Sequence, residues 1–187
     1  MISRSALLSV FIFSLPYSAF GFSDADTLNL PQEVMHRDGV WVSRPKPTEK
    51  RLRDVMIVNR IDSVEAYVAW IRRNFCYQRD TGPDAWYDAD EMLSRRTGDC
   101  EDFAFLHQAF LRLMGFSPKV LAVAQGHGNA HAICVFKKTG RYAWFDNGTL
   151  LETRAISFEE CSKRISERYH SPVLAELDRE KAGRLRA

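Results

Sequence analysis

The chain has 187 residues, 45% apolar, 27% charged and 12% aromatic, which supports one globular domain and excludes a disordered or fibrous chain. Its 26 Lys and Arg against 24 Asp and Glu leave a formal charge of +2, so no basic excess points to nucleic acid or an anionic membrane as partner. Arg4, the apolar run Ala6–Leu15, Pro16 and the small residues Ala19 and Gly21 have the layout of a secretory signal over residues 1–21. The run is shorter than the ~20 apolar residues that span a bilayer, so export without a stable membrane anchor is expected, to the periplasm or beyond.

An oxidising compartment would pair idle thiols, and the four cysteines, Cys76, Cys100, Cys134 and Cys161, all follow the signal. They form no Cys-x-x-Cys pair and match no zinc module, so a structural metal is unsupported. If Cys100 is a working thiol, one disulfide at most remains among Cys76, Cys134 and Cys161, and the spacing does not say which.

Residues 22–50, with Pro31, Pro45 and Pro47, read as an extended arm. A folded domain is expected over 51–172 and a charged tail over 173–187. Asp62 with Glu65 has the form of a capping box ahead of a helical stripe, Val64, Tyr67, Val68, Ile71 and Phe75. Residues 78–96 read as a loop with a helical turn near Ala89–Leu93. From Asp99 the apolar positions Phe103, Ala104, Leu106, Phe110, Leu111, Leu113 and Met114 predict the most buried helix, stopped by Gly115 and Pro118. Val120–Ala124 reads as a strand, and His131–Phe136 with Tyr142–Phe145 as a hairpin about Lys137–Gly140. Ser157 and Glu160 mark a last helix carrying Phe158, Cys161, Ile165 and Tyr169 on one side. Helices first and a small antiparallel sheet after them make the class α+β.

The string Gly98-Asp99-Cys100-Glu101-Asp102-Phe103-Ala104 places a cysteine in the first turn of that buried helix, with Asp99 as N-cap and Gly98 lending the approach flexibility. A helix N-terminus carries about half a positive charge and unpaired N–H groups, which would stabilise a thiolate and then an oxyanion. Cys100 is therefore expected to be acidic; the plainer reading is a small apolar residue at a helix end. Of the histidines that might serve as its base, His107 is about 10 Å down the same helix and reads as core. His36 and His170 have no supporting neighbours, and His127 sits between two glycines. His131 opens a stiff strand and is the better base.

A hairpin turn centred between Lys138 and Thr139 would set Phe136 opposite Arg141 and His131 opposite Asp146, close enough for the carboxylate to orient the imidazole. A slip of one residue would offer Asn147 instead. Cys134 has the opposite parity and should face away. Trp86 is either an oxyanion donor through its indole N–H or a cover for apolar surface. Gly126–Ala130 lacks the third glycine of a dinucleotide fingerprint, and His127 with His131 would form a zinc pair only on a helix.

Taken together, the Gly98–Ala104 string, the helix ending at Gly115, His131-Ala132 and Trp144-Phe145-Asp146-Asn147 resemble the transglutaminase-like cysteine peptidases of bacteria, over roughly Val64 to Leu151. The resemblance implies a papain-like fold in which the nucleophile helix packs on an antiparallel sheet. It also implies Cys100 as nucleophile, His131 as base and Asp146 as orienting acid. Exported members that cleave adhesins bind calcium through acids around the cysteine; Asp99, Glu101 and Asp102 match those positions, although acids in a first helical turn are favoured anyway. No other cofactor is required.

The expected activity is thiol-dependent hydrolysis of a peptide or side-chain amide in a protein or peptide substrate. Acyl transfer to an amine is the alternative chemistry, and a silent module binding a peptide or cell-wall component is the alternative class. Oligomeric state is not legible.

Overall fold

The computed structural model describes residues 33–37, 40–43, 47–81, 86–125 and 130–178. The expected signal over 1–21 and the loop holding His127 lie outside them. Two compact units are present, Met1–Arg44 and Pro45–Ala187. In the first, β1 (Glu33–Arg37) and β2 (Val40–Ser43) pair antiparallel, so this part of the expected arm is strand. The sequence cue is Asp38-Gly39, a hairpin dipeptide between short β-prone runs.

In the second unit α1 (Pro47–Val58) also begins inside the expected arm. Pro47 is the first helical residue, a position where a missing N–H costs nothing, so this proline starts a helix where an extended segment was expected. Leu52 anchors α1 in the core. In α2 (Val64–Asn74) the cap is Ser63, not Asp62: its Oγ accepts the Ala66 N–H at 3.2 Å. β3 (Cys76–Tyr77) and β4 (Thr97–Gly98) form a short parallel pair flanking the segment expected to be mostly loop, and α3 (Ala89–Arg95) lies where a helical turn was expected. That pair delivers the chain to α4 (Cys100–Leu113). Gly115 (φ 86°) ends α4, with the Gly115 and Phe116 N–H groups returning to the carbonyls of Arg112 and Leu111.

The remaining strands, β5 (Lys119–Ala124), β6 (Ala130–Lys138), β7 (Arg141–Asp146), β8 (Thr149–Glu152) and β9 (Val173–Leu177), form one antiparallel sheet in the order β8-β7-β6-β5-β9. β9 takes up the start of the expected tail and pairs with β5. Pleat parity divides the core. Ala132, Cys134, Phe136 and Phe145 join Tyr67 of α2 and Phe103, Leu106 and Phe110 of α4. Leu121, Val123, Ile133, Val135 and Trp144 meet Cys161 and Ile165 of α5 (Phe158–Tyr169). Cys134 and Cys161 are thus buried on opposite faces, and all four thiols are free.

The hairpin turn is Thr139-Gly140, both with positive φ (47° and 83°), a type I′ arrangement. Phe136 therefore pairs with Ala143, not Arg141, a shift of two residues from the expected register. A shift of one would have moved every side chain to the other face; a shift of two preserves the face. His131 and Asp146 remain on a common side as diagonal rather than direct neighbours.

Candidate active site

Asp146 ends β7, and its Oδ1 lies 2.9 Å from His131 Nε2. The hydrogen bond to His131 is the largest influence on this carboxyl and holds it below the usual carboxylate range, against the opposing effect of burial. An ionised carboxylate only accepts, so Nε2 carries a proton, and whenever the ring is neutral Nδ1 is its acceptor nitrogen. Asn147 does not substitute for the acid. It adopts a left-handed φ of 47° after β7, and its Oδ1 is buried without a protein partner.

The Asn147 carbonyl accepts from His107 Nε2 at 2.7 Å, so His107 Nδ1 must accept the Tyr67 hydroxyl, 2.9 Å away. His107 is core, as expected, but it also ties α4 to the end of β7. Its ring stacks on Phe145 at 4.1 Å. Burial presses its pKa from 6.5 to about 3, against the pull of the Asn147 carbonyl. The unfolded chain therefore binds a proton that the fold refuses, so the stability carried by neutral His107 is complete above pH 6.5 and is lost toward about pH 3. Replacing His107 by Phe should destabilise the fold at neutral pH, because two buried polar partners are orphaned, yet flatten the decline on acidification. Urea unfolding at neutral pH and near pH 4 should show the variant losing about 3 kcal/mol less between them than the parent.

Cys100 opens α4 from an extended Asp99 (φ −98°, ψ −160°). Asp102 carries this junction: Oδ2 accepts the Asp99 N–H at 3.1 Å and Oδ1 the Tyr87 N–H at 2.7 Å. Gly98 does not serve as a flexible approach. A Cβ there would meet Met92 Sδ at 2.5 Å and the Asp102 side chain at 2.7 Å, so glycine is required for close packing. Gly98→Ala is expected to cost about 2 kcal/mol in chemical denaturation and to disturb the start of α4.

The Cys100 thiol donates to Glu101 Oε2 at 2.9 Å. It is not acidic. Burial first, then the Glu101 carboxylate, push it up to about 12, while the Ala132 backbone N–H pulls the other way. Burial, with the Glu101 and Asp99 carboxylates adding to it, outweighs the partial charge of the helix end. Burial likewise raises Asp99 to about 7, with Glu101 adding to it, and Asp102 to about 6. The Ala132 contact places the sulfur against β6, one residue from His131. On the β7 side the ladder begins only at Cys134, which leaves Ala132 beyond its end.

Candidate ligand atoms of Asp99, Cys100 and Glu101 lie within 4.8 Å of one another, and Asp99 Oδ1 is buried with no hydrogen-bond partner. Two carboxylates with an orphaned oxygen are a donor set suited to a hard cation. Asp102, expected as a third ligand, instead has each of its oxygens engaged by a backbone N–H. Trp86 lies on Phe105 of α4 (ring centroids 5.5 Å) and is partly buried against the core.

Two tyrosines were not legible as site residues. Tyr77 stands near the acidic turn, its phenol raised by burial and then by Cys100 and Asp99. Tyr169, on α5, donates to Asp146 Oδ2 at 2.8 Å. The available cue for Tyr169 was a hydroxyl on the apolar stripe of α5, which needs a buried partner.

A cysteine at the start of a buried helix, set against an antiparallel sheet that bears a His–Asp pair, defines a class of papain-like proteins. Residues 54–146, just under half of the chain, match the family model described as the transglutaminase-like superfamily. None of the curated proteins matches it significantly. Among solved structures, a proposed cysteine protease from Cytophaga hutchinsonii is similar at 20% identity and TM-score 0.45, over 56% of this chain and 38% of that one. The chain thus spans well under half the length of that protein. Calcium-bound LapG from Legionella pneumophila is similar at 16% identity and TM-score 0.46, over 71% of this chain and 84% of that one. EGTA-treated LapG gives 19% identity and TM-score 0.43, over 71% and 64%. Among the described residues no helix is long and apolar enough to cross a membrane.

Proposed function

We propose that the chain is an exported thiol-dependent hydrolase that cleaves peptide or side-chain amide bonds in a protein or peptide substrate. Cys100 is the nucleophile, His131 the base and Asp146 the acid that orients it. The observation that carries this reading is the His131–Asp146 bond, made one residue from Ala132, whose backbone N–H contacts the Cys100 sulfur. The match of residues 54–146 to the transglutaminase-like superfamily supports it. The signal-like segment, residues 1–21, supports a periplasmic or secreted location.

In this mechanism the sulfur of Cys100 bonds to the amide carbon as its proton passes to His131 Nδ1. The α4 N-terminus, with the Cys100 N–H, faces the developing oxyanion. His131 then gives the proton to the leaving amine as the C–N bond breaks. Water, deprotonated by His131, attacks the thioester carbon, the C–S bond breaks, and the sulfur regains a proton. Asp99 and Glu101 would hold calcium, which supplies positive charge beside the thiol. With Glu101 so engaged, the thiol loses the acceptor that keeps it protonated.

The test is a peptide mixture incubated with calcium and either the parent protein or Cys100→Ser, read by mass spectrometry. New peptide termini or deamidated side chains are expected with the parent alone; the same products from Cys100→Ser would overturn the assignment. A primary amine in the mixture separates hydrolysis from acyl transfer, because a conjugate appears only in the second case.

A further inference from the structure

Asp146 is held from both sides. His131 occupies Oδ1, and the Tyr169 hydroxyl, from a helix on the face of the sheet opposite α4, occupies Oδ2 at 2.8 Å. The direction of this chain of bonds follows from its members. Trp144 Nε1–H can only donate and reaches the Tyr169 oxygen at 3.3 Å. The ionised carboxylate can only accept, so the tyrosine proton points at Asp146. Burial, and next the bond to Asp146, keep the phenol protonated. Arg168, next to Tyr169, is the other charge facing the pair, and its guanidinium carbon lies 6.0 Å from the tyrosine ring centroid. The Tyr169 and His131 rings are 5.6 Å apart and tilted by 51°. A carboxylate at a strand end with one partner can swivel about its last side-chain bond; with a partner on each oxygen its plane is set.

Resting on the proposed function, we infer that Tyr169 is a positioning residue that locks the Asp146 carboxylate, and through it the His131 ring. It lies 23 residues beyond Asp146, where the superfamily match ends, so the matched segment relies on a helix outside itself to complete its acid–base pair. Asp146 orients the imidazole; Tyr169 orients Asp146.

Tyr169→Phe removes the hydroxyl and keeps the ring. The readout is solvent exchange of the His131 Nε2 proton, followed by NMR in histidine-labelled protein and assigned by its loss in His131→Gln. Losing a hydrogen bond to a charged group should speed this exchange about tenfold while the melting curve stays close to the parent's. A merely structural ring would leave the rate within about twofold, and that result overturns the inference. Should Tyr169→Phe fail to fold, Trp144→Phe removes the donor behind the hydroxyl and is expected to speed exchange in the same direction; an unchanged rate there is equally fatal. Iodoacetamide labelling with calcium present runs alongside. If Cys100 in the parent labels no faster than a free thiol, the hydrolase reading fails, while the exchange experiment still decides the role of Tyr169.

Discussion

Replacing Asp146 by asparagine is expected to lower Cys100-dependent turnover by about 10³-fold or more, with the fold intact. The amide has one oxygen, and the Tyr169 hydroxyl donates at Oδ2. The amide oxygen is drawn there, which turns the NH2 group toward His131 Nε2. That nitrogen must then accept, the ring proton moves to Nδ1, and the imidazole presents a donor to the thiol in place of a base. Initial rates on any peptide the parent cleaves, together with the histidine nitrogen shifts that report the tautomer, check this. A variant within about tenfold of the parent, or one with the tautomer unchanged, would contradict the role given to Asp146.

The second large effect concerns ionisation of the nucleophile. With Glu101 accepting its proton, Cys100 has a pKa of about 12 and is overwhelmingly thiol at neutral pH. Glu101→Gln removes a negative charge beside the sulfur, so the thiolate becomes easier to form and the pKa falls. Each unit of fall multiplies the thiolate fraction about tenfold while the pKa stays above the working pH. Alkylation of Cys100 by iodoacetamide near pH 8, in the presence of a calcium chelator, should therefore be at least about tenfold faster in Glu101→Gln than in the parent. Calcium should accelerate the parent and leave the variant nearly unchanged. Equal rates for the two proteins under chelation would show that Glu101 does not hold the thiol protonated, and a parent insensitive to calcium would remove the cation from the site.

The candidate site was legible in outline because its parts have strong local signatures. An acidic string before an apolar helical stripe placed Cys100 at a helix start. β-prone runs around Lys137–Gly140 placed His131 and Asp146 on one face of a hairpin, and the match survived a register displaced by two because strand faces alternate with that period. Pro47 and Asp38-Gly39 were equally local signals, but prolines were weighed as breakers, and α1 and the β1–β2 pair were missed as a result. The β3–β4 pair gave no such warning. Two-residue strands have no periodicity, and their pairing joins segments separated in sequence by α3.

Sequence by itself determined the class of fold, the helix that carries Cys100 and the strands that carry His131 and Asp146, because helical and strand periodicities are properties of neighbouring residues. Tertiary structure alone decided the charge state of the thiol, the His107 link from α4 to β7, and the second partner of Asp146. Each of these depends on burial and on groups that meet across distant parts of the chain: Tyr67 with His107, Ala132 with Cys100, Tyr169 with Asp146. A helix N-terminus favours a thiolate only while water or a cation screens its neighbouring acids. Buried beside Asp99 and Glu101, the same turn holds the proton on the sulfur.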